Sequence, residues 1–341
     1  MRRGAGIYLV TRVHGLRTHL ITSRDMQTLV KARTVRDVSD NLMKTDYAPE
    51  ISQLPTQEQD AAALEDIFLK KLVQRFFFIS LAAQGKMRDL LTRYSARFEV
   101  ENIKRIIRAK RGGQNAERPG LIPLPREYSL VNFPTLLKAE DVDEVTSLLR
   151  DTPYYPLLEK LQSYRESGAT MILEAALDKI YFSRVWELAG KVPSIRNLVG
   201  EEIDLRNLLI AFSLKVREIS SRLIEEAVIP LSYALPKTTL RSLLQGRLED
   251  APNILTTGYS KLASEAANLL KSGSSLPLEW LFFKELYGDA SAVLRTHPLQ
   301  AGYIVAYLLL CECEAKNLVS IVTGKQLDLS EEQIAKGLFG V

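Results

Sequence analysis

The stretch EAKNLVSIVTGK (residues 314–325) is the last of three related segments in the chain. EVENIKRIIRAK (99–110) and DLRNLLIAFSLK (204–215) have the same order of residue types. Their asparagines are 105 and 110 residues apart, and six positions match in all three segments. Matches of this kind at near-equal intervals indicate a repeated unit. The polar motif positions are Glu99, Asn102 and Lys110, then Asp204, Asn207 and Lys215, then Glu314, Asn317 and Lys325.

Other stretches repeat at a similar interval. MQTLVKARTVRDVSDNLMKTDYAPEI (26–51) aligns without a gap on FPTLLKAEDVDEVTSLLRDTPYYPLL, which starts 107 residues later at position 133. NILTTGY (253–259) resembles NLMKTDY (41–47), so each copy has a tyrosine at the same place. We therefore predict three tandem units of roughly 105 to 115 residues, which pack along shared faces. Their predicted bounds are 1–118, 119–228 and 229–341.

The apolar pattern of the chain is that of helices. Leu64, Ile67, Phe68, Leu72 and Phe76 follow the i, i+3, i+4 spacing of a half-buried helix. No sustained alternation with a period of two residues competes with this pattern. We predict an all-α fold in which each unit is a helical bundle, joined to the next through a proline-containing linker.

The repeated motif places its six positions along one helix face, which its apolar members make the buried one. Asn102, Asn207 and Asn317 are then expected in or beside a packed seam, where the amide needs backbone partners. We interpret them as residues that fix a neighbouring loop or unit in register, with a ligand-binding or catalytic role as the alternative. The motif lysines come late in their helices, where a cation suits the helix dipole.

Thr323, Gly324 and Lys325 resemble the end of a phosphate-binding loop. That loop also needs a glycine five residues before the Gly-Lys pair and a hydroxyl residue after it. Val319 and Gln326 occupy these positions, so the motif fails. Three histidines and two cysteines, Cys311 and Cys313, offer no metal-ligand or nucleophile spacing. We predict no catalytic, cofactor-binding or metal-binding residues.

The strongest concentration of charge is KRIIRAKRGG (104–113), with Lys104, Arg105, Arg108 and Arg111 as possible partner contacts. No aromatic residues are interleaved with these cations as in single-strand binders. The net charge of +4 is small for a dedicated nucleic-acid binder. A solvated helix end is the preferred interpretation, and contact with a protein partner, anionic head groups or nucleic acid remains open.

The triplicated helix motif resembles that of the C subunit of archaeal-type (A-type) rotary ATPases, which is equivalent to the d subunit of vacuolar ATPases. ECEAKNLVSIVTGKQLDLSEEQIAKGLF (312–339) and FEVENIKRIIRAK (98–110) are the most specific stretches, and the similarity covers nearly the whole chain. The resemblance implies three similar helical domains that form a funnel with approximate three-fold pseudosymmetry.

The resemblance also implies a non-catalytic rotor part of an A/V-type ATP synthase or ATPase. Its partners would be the shaft subunits of the central stalk and the membrane-embedded proteolipid ring, with no nucleic acid and one copy per complex. It would lie on the cytoplasmic side of the cell membrane, peripheral and in contact through the ring. No segment reaches the ~20 apolar residues that cross a bilayer. The alternative is a helical-repeat scaffold that binds protein or nucleic acid through the basic cluster.

Overall fold

The computed structural model describes residues 3–340 apart from residues 56, 58, 113–119, 218, 256–257 and 272–277. Within these residues all regular secondary structure is helical, with nineteen α-helices and short 3-10 turns between them. The prediction of an all-α fold is confirmed.

The helices form two compact units. The first joins residues 1–92 to residues 284–341, and the second consists of residues 93–283. The first unit contains α1 (Arg3–Arg17), α2 (Ser23–Lys31), α3 (Val35–Leu42), α4 (Ala48–Ile51), α5 (Ala61–Ala82), α18 (Gly302–Gln326) and α19 (Glu331–Lys336). Two helices span a unit boundary, namely α6 (Gly85–Ser95) and α17 (Leu278–Thr296).

The core of the first unit lies between α5 and α18, which pack against each other along much of their length. Leu64 and Phe68 of α5 meet Leu318 and Ile321 of α18 in one buried cluster, to which α2, α3 and α19 contribute further apolar side chains. The side chain of Asp60 caps the start of α5 by accepting a hydrogen bond from the Ala63 N–H. Residues from both ends of the chain therefore share one core.

The second unit is built around α11 (Thr170–Ala189), which packs against α7 (Arg97–Arg111) and α12 (Pro193–Val216). Both faces of α11 are apolar, as expected for a helix that is covered on more than one side. The remaining helices of this unit are α8 (Phe133–Lys138), α9 (Val142–Leu148), α10 (Leu161–Ser167), α13 (Ser221–Ala227), α14 (Lys237–Gln245), α15 (Ala251–Ile254) and α16 (Ser260–Lys271).

The division into three sequence units stays a prediction. The junction of the first two, between residues 118 and 119, lies outside the described residues. The three copies of the polar motif lie on α7, α12 and α18. None of the helices in the described part of the chain is long and apolar enough to cross a bilayer.

Candidate functional site: the repeated polar motif

The acidic residue of each motif is buried and accepts hydrogen bonds from the backbone at the start of a short helix. In every copy one donor is the N–H of the residue immediately before the N-cap of α2, α8 or α14. Short backbone loops present these amides to a carboxylate, which is the acceptor they bind most strongly. The bonds are Ile21 to Glu314 Oε2 (2.5 Å), Val131 to Glu99 Oε2 (3.2 Å) and Leu235 to Asp204 Oδ2 (2.8 Å).

A buried tyrosine donates its hydroxyl to the same carboxylate in each copy. The bonds run from Tyr47 to Glu314 (2.8 Å), from Tyr154 to Glu99 (2.6 Å) and from Tyr259 to Asp204 (3.3 Å). Burial and the adjacent negative charge raise the pKa of all three hydroxyls. The tyrosines therefore stay neutral and act as hydrogen-bond donors.

Each motif asparagine uses both its amide nitrogen and its amide oxygen in hydrogen bonds to backbone. Asn102 Nδ2 donates to the Ile122 carbonyl (2.9 Å), and the Ile122 N–H donates back to Asn102 Oδ1 (2.7 Å). Asn207 pairs in the same way with Ile229, and Asn317 with Phe339. All three asparagines are buried. Each amide thus binds one backbone residue through both of its groups, as a neighbouring β-strand would.

Each motif lysine binds the carbonyl end of the same short helix. Lys325 Nζ donates to the Val30 carbonyl of α2 (2.6 Å), and Lys110 Nζ to the Leu137 carbonyl of α8 (2.9 Å). Lys215 Nζ donates to the Leu244 carbonyl of α14 (2.8 Å) and to the Gly246 carbonyl just beyond it (2.6 Å). Each ammonium group therefore also interacts favourably with the dipole of the neighbouring short helix. The sequence pattern indicates only the dipole of the lysine's own helix.

We call this arrangement the helix clamp: one motif helix holds one short helix by its acid at the N-terminal end and by its lysine at the C-terminal end. The pairs are α18 with α2, α7 with α8, and α12 with α14. A negative charge at the N-terminus and a positive charge at the C-terminus both match the helix dipole. The clamp therefore fixes position, direction and register together.

The three carboxylates differ in their surroundings. Glu314 forms a buried ion pair with Arg75 (2.6 Å), which also reaches Asp46 at 3.3 Å. Burial disfavours the charged guanidinium, but attraction to Glu314 outweighs it and raises the pKa of Arg75. Asp204 has backbone and tyrosine donors instead, and burial raises the pKa of its carboxyl group. In the clamp of α18 and α2, which come from opposite ends of the chain, the carboxylate thus also pairs with an arginine.

The basic cluster is not one continuous exposed surface. Lys104 is buried and its Nζ lies 2.6 Å from Asp178 Oδ1 of α11. Arg108 pairs with Glu101 at 3.1 Å and with Glu174 at 3.3 Å, and Arg105 donates to the Gly120 carbonyl. Arg111 is exposed at the end of α7. A partner contact by this cluster stays a prediction, and Lys104 is not placed to take part in one.

Two buried polar networks of the second unit were not recognised from the sequence. Asp178 lies between Lys104 and Arg206, at 2.6 and 3.9 Å, and so links α7 and α12 through α11. Arg97 binds both carboxylate oxygens of Glu202, at 2.8 and 3.0 Å. A charged residue on an otherwise apolar helix was the available signal, since such a residue needs a partner when buried.

Gly324, which made residues 323–325 resemble a phosphate-binding loop, has a packing explanation. A Cβ atom at this position would lie 2.6 Å from Cγ1 of Ile334. Glycine therefore lets α19 approach α18 closely. No group of three or more metal-ligating side chains occurs in the described ranges. The motif residues bind protein backbone and hold helices together.

Comparison with known proteins gives a consistent assignment. The family model described as "ATP synthase (C/AC39) subunit" matches residues 9–337. The C subunit of the A-type ATP synthase from Methanocaldococcus jannaschii is 26% identical over 340 residues, covering 96% of this chain and 84% of the relative. The protein of the same name from Haloquadratum walsbyi is 27% identical, with 96% of each chain covered. That from Archaeoglobus fulgidus is 23% identical, covering 98% of this chain and 96% of the relative.

The match extends over nearly the whole chain and agrees with the resemblance found in the repeated motif. The chain therefore belongs to the ATP synthase (C/AC39) subunit family and is a non-catalytic subunit of an A/V-type ATP synthase.

Proposed function

We propose that the chain is a rotor part that couples the central shaft of the complex to the membrane proteolipid ring, so that torque passes between them during ion transport. Its partners are the shaft subunits and the ring, with one copy per complex and no nucleic acid. It lies on the cytoplasmic side of the cell membrane and is peripheral, with its membrane contact made through the ring. Family membership and the names of the relatives support this proposal.

Among the structural observations, the helix clamp gives this proposal its strongest support. A part that transmits torque must resist sliding of one helix past another. Each clamp holds a short helix at both ends, while the motif asparagine fixes an adjacent segment. We assign the nine motif residues this structural role and none in catalysis. The same clamp contacts occur in all three copies of the motif, which also supports the division into the sequence units 1–118, 119–228 and 229–341.

The test is affinity capture of the tagged full chain from detergent-solubilised membranes of its own source, followed by mass spectrometry. We expect to recover the shaft subunits together with the small proteolipid. Recovery of unrelated soluble proteins, without stalk or proteolipid, would contradict the proposal. A second measurement, nucleotide hydrolysis by the purified chain alone, is expected to give no saturable turnover.

The alternative scaffold function depends on the basic cluster, and the ion pairs of Lys104 and Arg108 weaken it. Arg111→Glu, which reverses the exposed cation at the end of α7, distinguishes the two functions. Under the rotor proposal this change leaves capture of the proteolipid intact. Loss of all partners on this single change would favour the scaffold.

A further inference from the structure

Three segments of the first unit contain no aspartate or glutamate at all: residues 1–24, 67–88 and 290–311. The whole chain has 41 acidic residues in 341, so segments of this combined length would ordinarily contain several. The same segments carry a number of arginines and lysines. The depletion along the sequence therefore affects acidic residues only.

The fold brings these three segments together around α1. On one side, Arg12 donates to the Tyr8 hydroxyl (3.2 Å), and its guanidinium lies 4.2 Å from the ring centre of Phe78 in α5. On the other side, His14 Nε2 lies 2.8 Å from the Pro298 carbonyl, in the turn between α17 and α18. Parts of three segments that are far apart in sequence thus lie beside one another in the fold.

Apolar side chains protrude from this surface. Ile7 is 65% exposed, Tyr8 59%, Phe78 43% and Leu81 49%. Leu299, in the turn that borders α1, is 84% exposed. Side chains that line a groove would be more covered than this, so these project into the surroundings. We call the set Ile7, Tyr8, Arg12, Phe78 and Leu81, with Leu299 at its border, the cationic apolar face.

Three arginines of these segments donate to neutral groups, and no ion pair is seen for them among the described residues. Arg12 donates to the Tyr8 hydroxyl, Arg17 to the Leu294 carbonyl (3.4 Å), and Arg295 to the Ser291 hydroxyl (2.9 Å). By contrast, Arg75 in the core of the same unit is paired with carboxylates. The charge of Arg12, Arg17 and Arg295 is thus available to an external anion.

We propose that the cationic apolar face binds the surface of an anionic phospholipid bilayer. Protruding apolar side chains insert at the boundary between head groups and acyl chains, and cations beside them attract the phosphates. A fluid head-group layer adapts to separate protruding side chains, whereas a folded partner would need a matching pocket for each of them. The inference goes beyond the proposed function, which requires contact with the ring but none with lipid.

The experiment measures co-sedimentation of the purified full chain with vesicles, in the absence of any other protein. Vesicles of phosphatidylcholine with about one third phosphatidylglycerol are compared with vesicles of phosphatidylcholine alone. We expect binding to the anionic vesicles that weakens as salt is added. Because ring and shaft are absent, a negative result would overturn this inference and leave the proposed function untouched.

Two variants test which residues are responsible. Arg12→Gln with Arg295→Gln should weaken binding about fivefold for each cation removed. Tyr8→Ser with Phe78→Ser should weaken it further at constant charge. These side chains are largely exposed, and thermal unfolding checks that each variant is folded.

Matched controls carry equivalent changes elsewhere: Arg33→Gln with Arg36→Gln for charge, and Leu130→Ser with Tyr155→Ser for exposed apolar surface. The inference predicts that both controls bind like the unchanged protein. Equal losses in variants and controls would overturn it, as would equal binding to both kinds of vesicle.

Discussion

At the residue scale, the stability of the molecule depends on buried polar groups. Their burial is tolerated because each has a hydrogen-bond partner held in place by the fold. Each motif asparagine uses its oxygen and its nitrogen on the same backbone residue. Unmade hydrogen bonds in the interior cost more than made ones contribute. These positions should therefore tolerate substitution poorly.

Asn207→Leu should lower the free energy of unfolding by about 1 to 3 kcal/mol, because it leaves the N–H and the carbonyl of Ile229 without their partner. Urea unfolding followed by circular dichroism measures the change. Asn197→Ala, at an exposed position of the same helix, is the control and should stay within about 0.5 kcal/mol. An unchanged midpoint for Asn207→Leu would show that the seam does not depend on the amide.

Arg75→Met should cost about 3 to 5 kcal/mol, because it leaves the buried carboxylate of Glu314 without its cation. The double variant Arg75→Met with Glu314→Gln should recover part of this loss, since no unpaired charge then remains. The surface pair of Arg241 and Glu225 gives the control, where Arg241→Met should cost less than about 1 kcal/mol. If the double variant were the least stable of the set, the ion pair would not be the cause.

Asp204 gives a pH-dependent prediction. Burial raises the pKa of its carboxyl group above the ordinary value of 3.8, so the folded protein holds a proton that the unfolded chain has released. As the pH rises from 3.8 through the raised pKa, Asp204 should therefore lower the free energy of unfolding progressively. Asp204→Asn should remove this component. The measurement is urea unfolding of both proteins at a series of pH values, and a difference that grows in favour of Asp204 with rising pH would contradict it.

At the element scale, the helix clamp explains how very short helices persist. α8 has six residues and α2 has nine, which is too short for stable helices on their own. The lysine of one long helix binds an unpaired carbonyl in the last turn of the short helix, and its acid binds an N–H of the loop just before the N-cap. Stability of the short helix therefore depends on the long one.

Gly324→Ala should destabilise the protein by about 1 to 3 kcal/mol, because the added Cβ meets the side chain of Ile334. Adding Ile334→Ala should relieve the overlap. The double variant should therefore lose less stability than the sum of the losses in the two single variants. Gly288→Ala is the control: its Cβ would meet nothing within 4 Å, so a helical alanine should stabilise by roughly 0.5 to 1 kcal/mol. Thermal unfolding of the four variants measures these effects, and a neutral Gly324→Ala would show that α19 can move away.

The helical class and the buried motif face could be predicted from the sequence because both follow from local spacing. The partners could not. Tyr47 and Glu314 are 267 residues apart, and no spacing rule connects them. A run of cations predicts a solvated face for Lys104, Arg105 and Arg108 alike. In the fold α11 covers that side of α7 and supplies Asp178, so the helix is buried on two faces.

At the scale of the whole molecule, the two compact units differ in how they are assembled from the chain. The second is continuous, whereas the first combines residues 1–92 with residues 284–341. Its central ion pair joins positions 239 residues apart. Removal of this ion pair should therefore destabilise the first unit, in segments from both ends of the chain.

Hydrogen exchange with mass spectrometry tests this. Arg75→Met should speed exchange in residues 21–51 and 314–325, which the clamp of α18 and α2 holds, and leave residues 204–215 unchanged. Asn207→Leu is the reciprocal variant, with its effect confined to the second unit. Faster exchange over the entire chain in both variants would show that the units unfold as one.

The split composition of the first unit bears on how the protein is made. A ribosome releases α5 long before α18, the helix that covers its apolar side. The second unit, by contrast, has all its residues once position 283 has emerged. Domains usually fold from the N-terminus onward during synthesis. Here the segment made first must wait for the segment made last, so Leu64 and Phe68 lack the cover of α18 through most of translation.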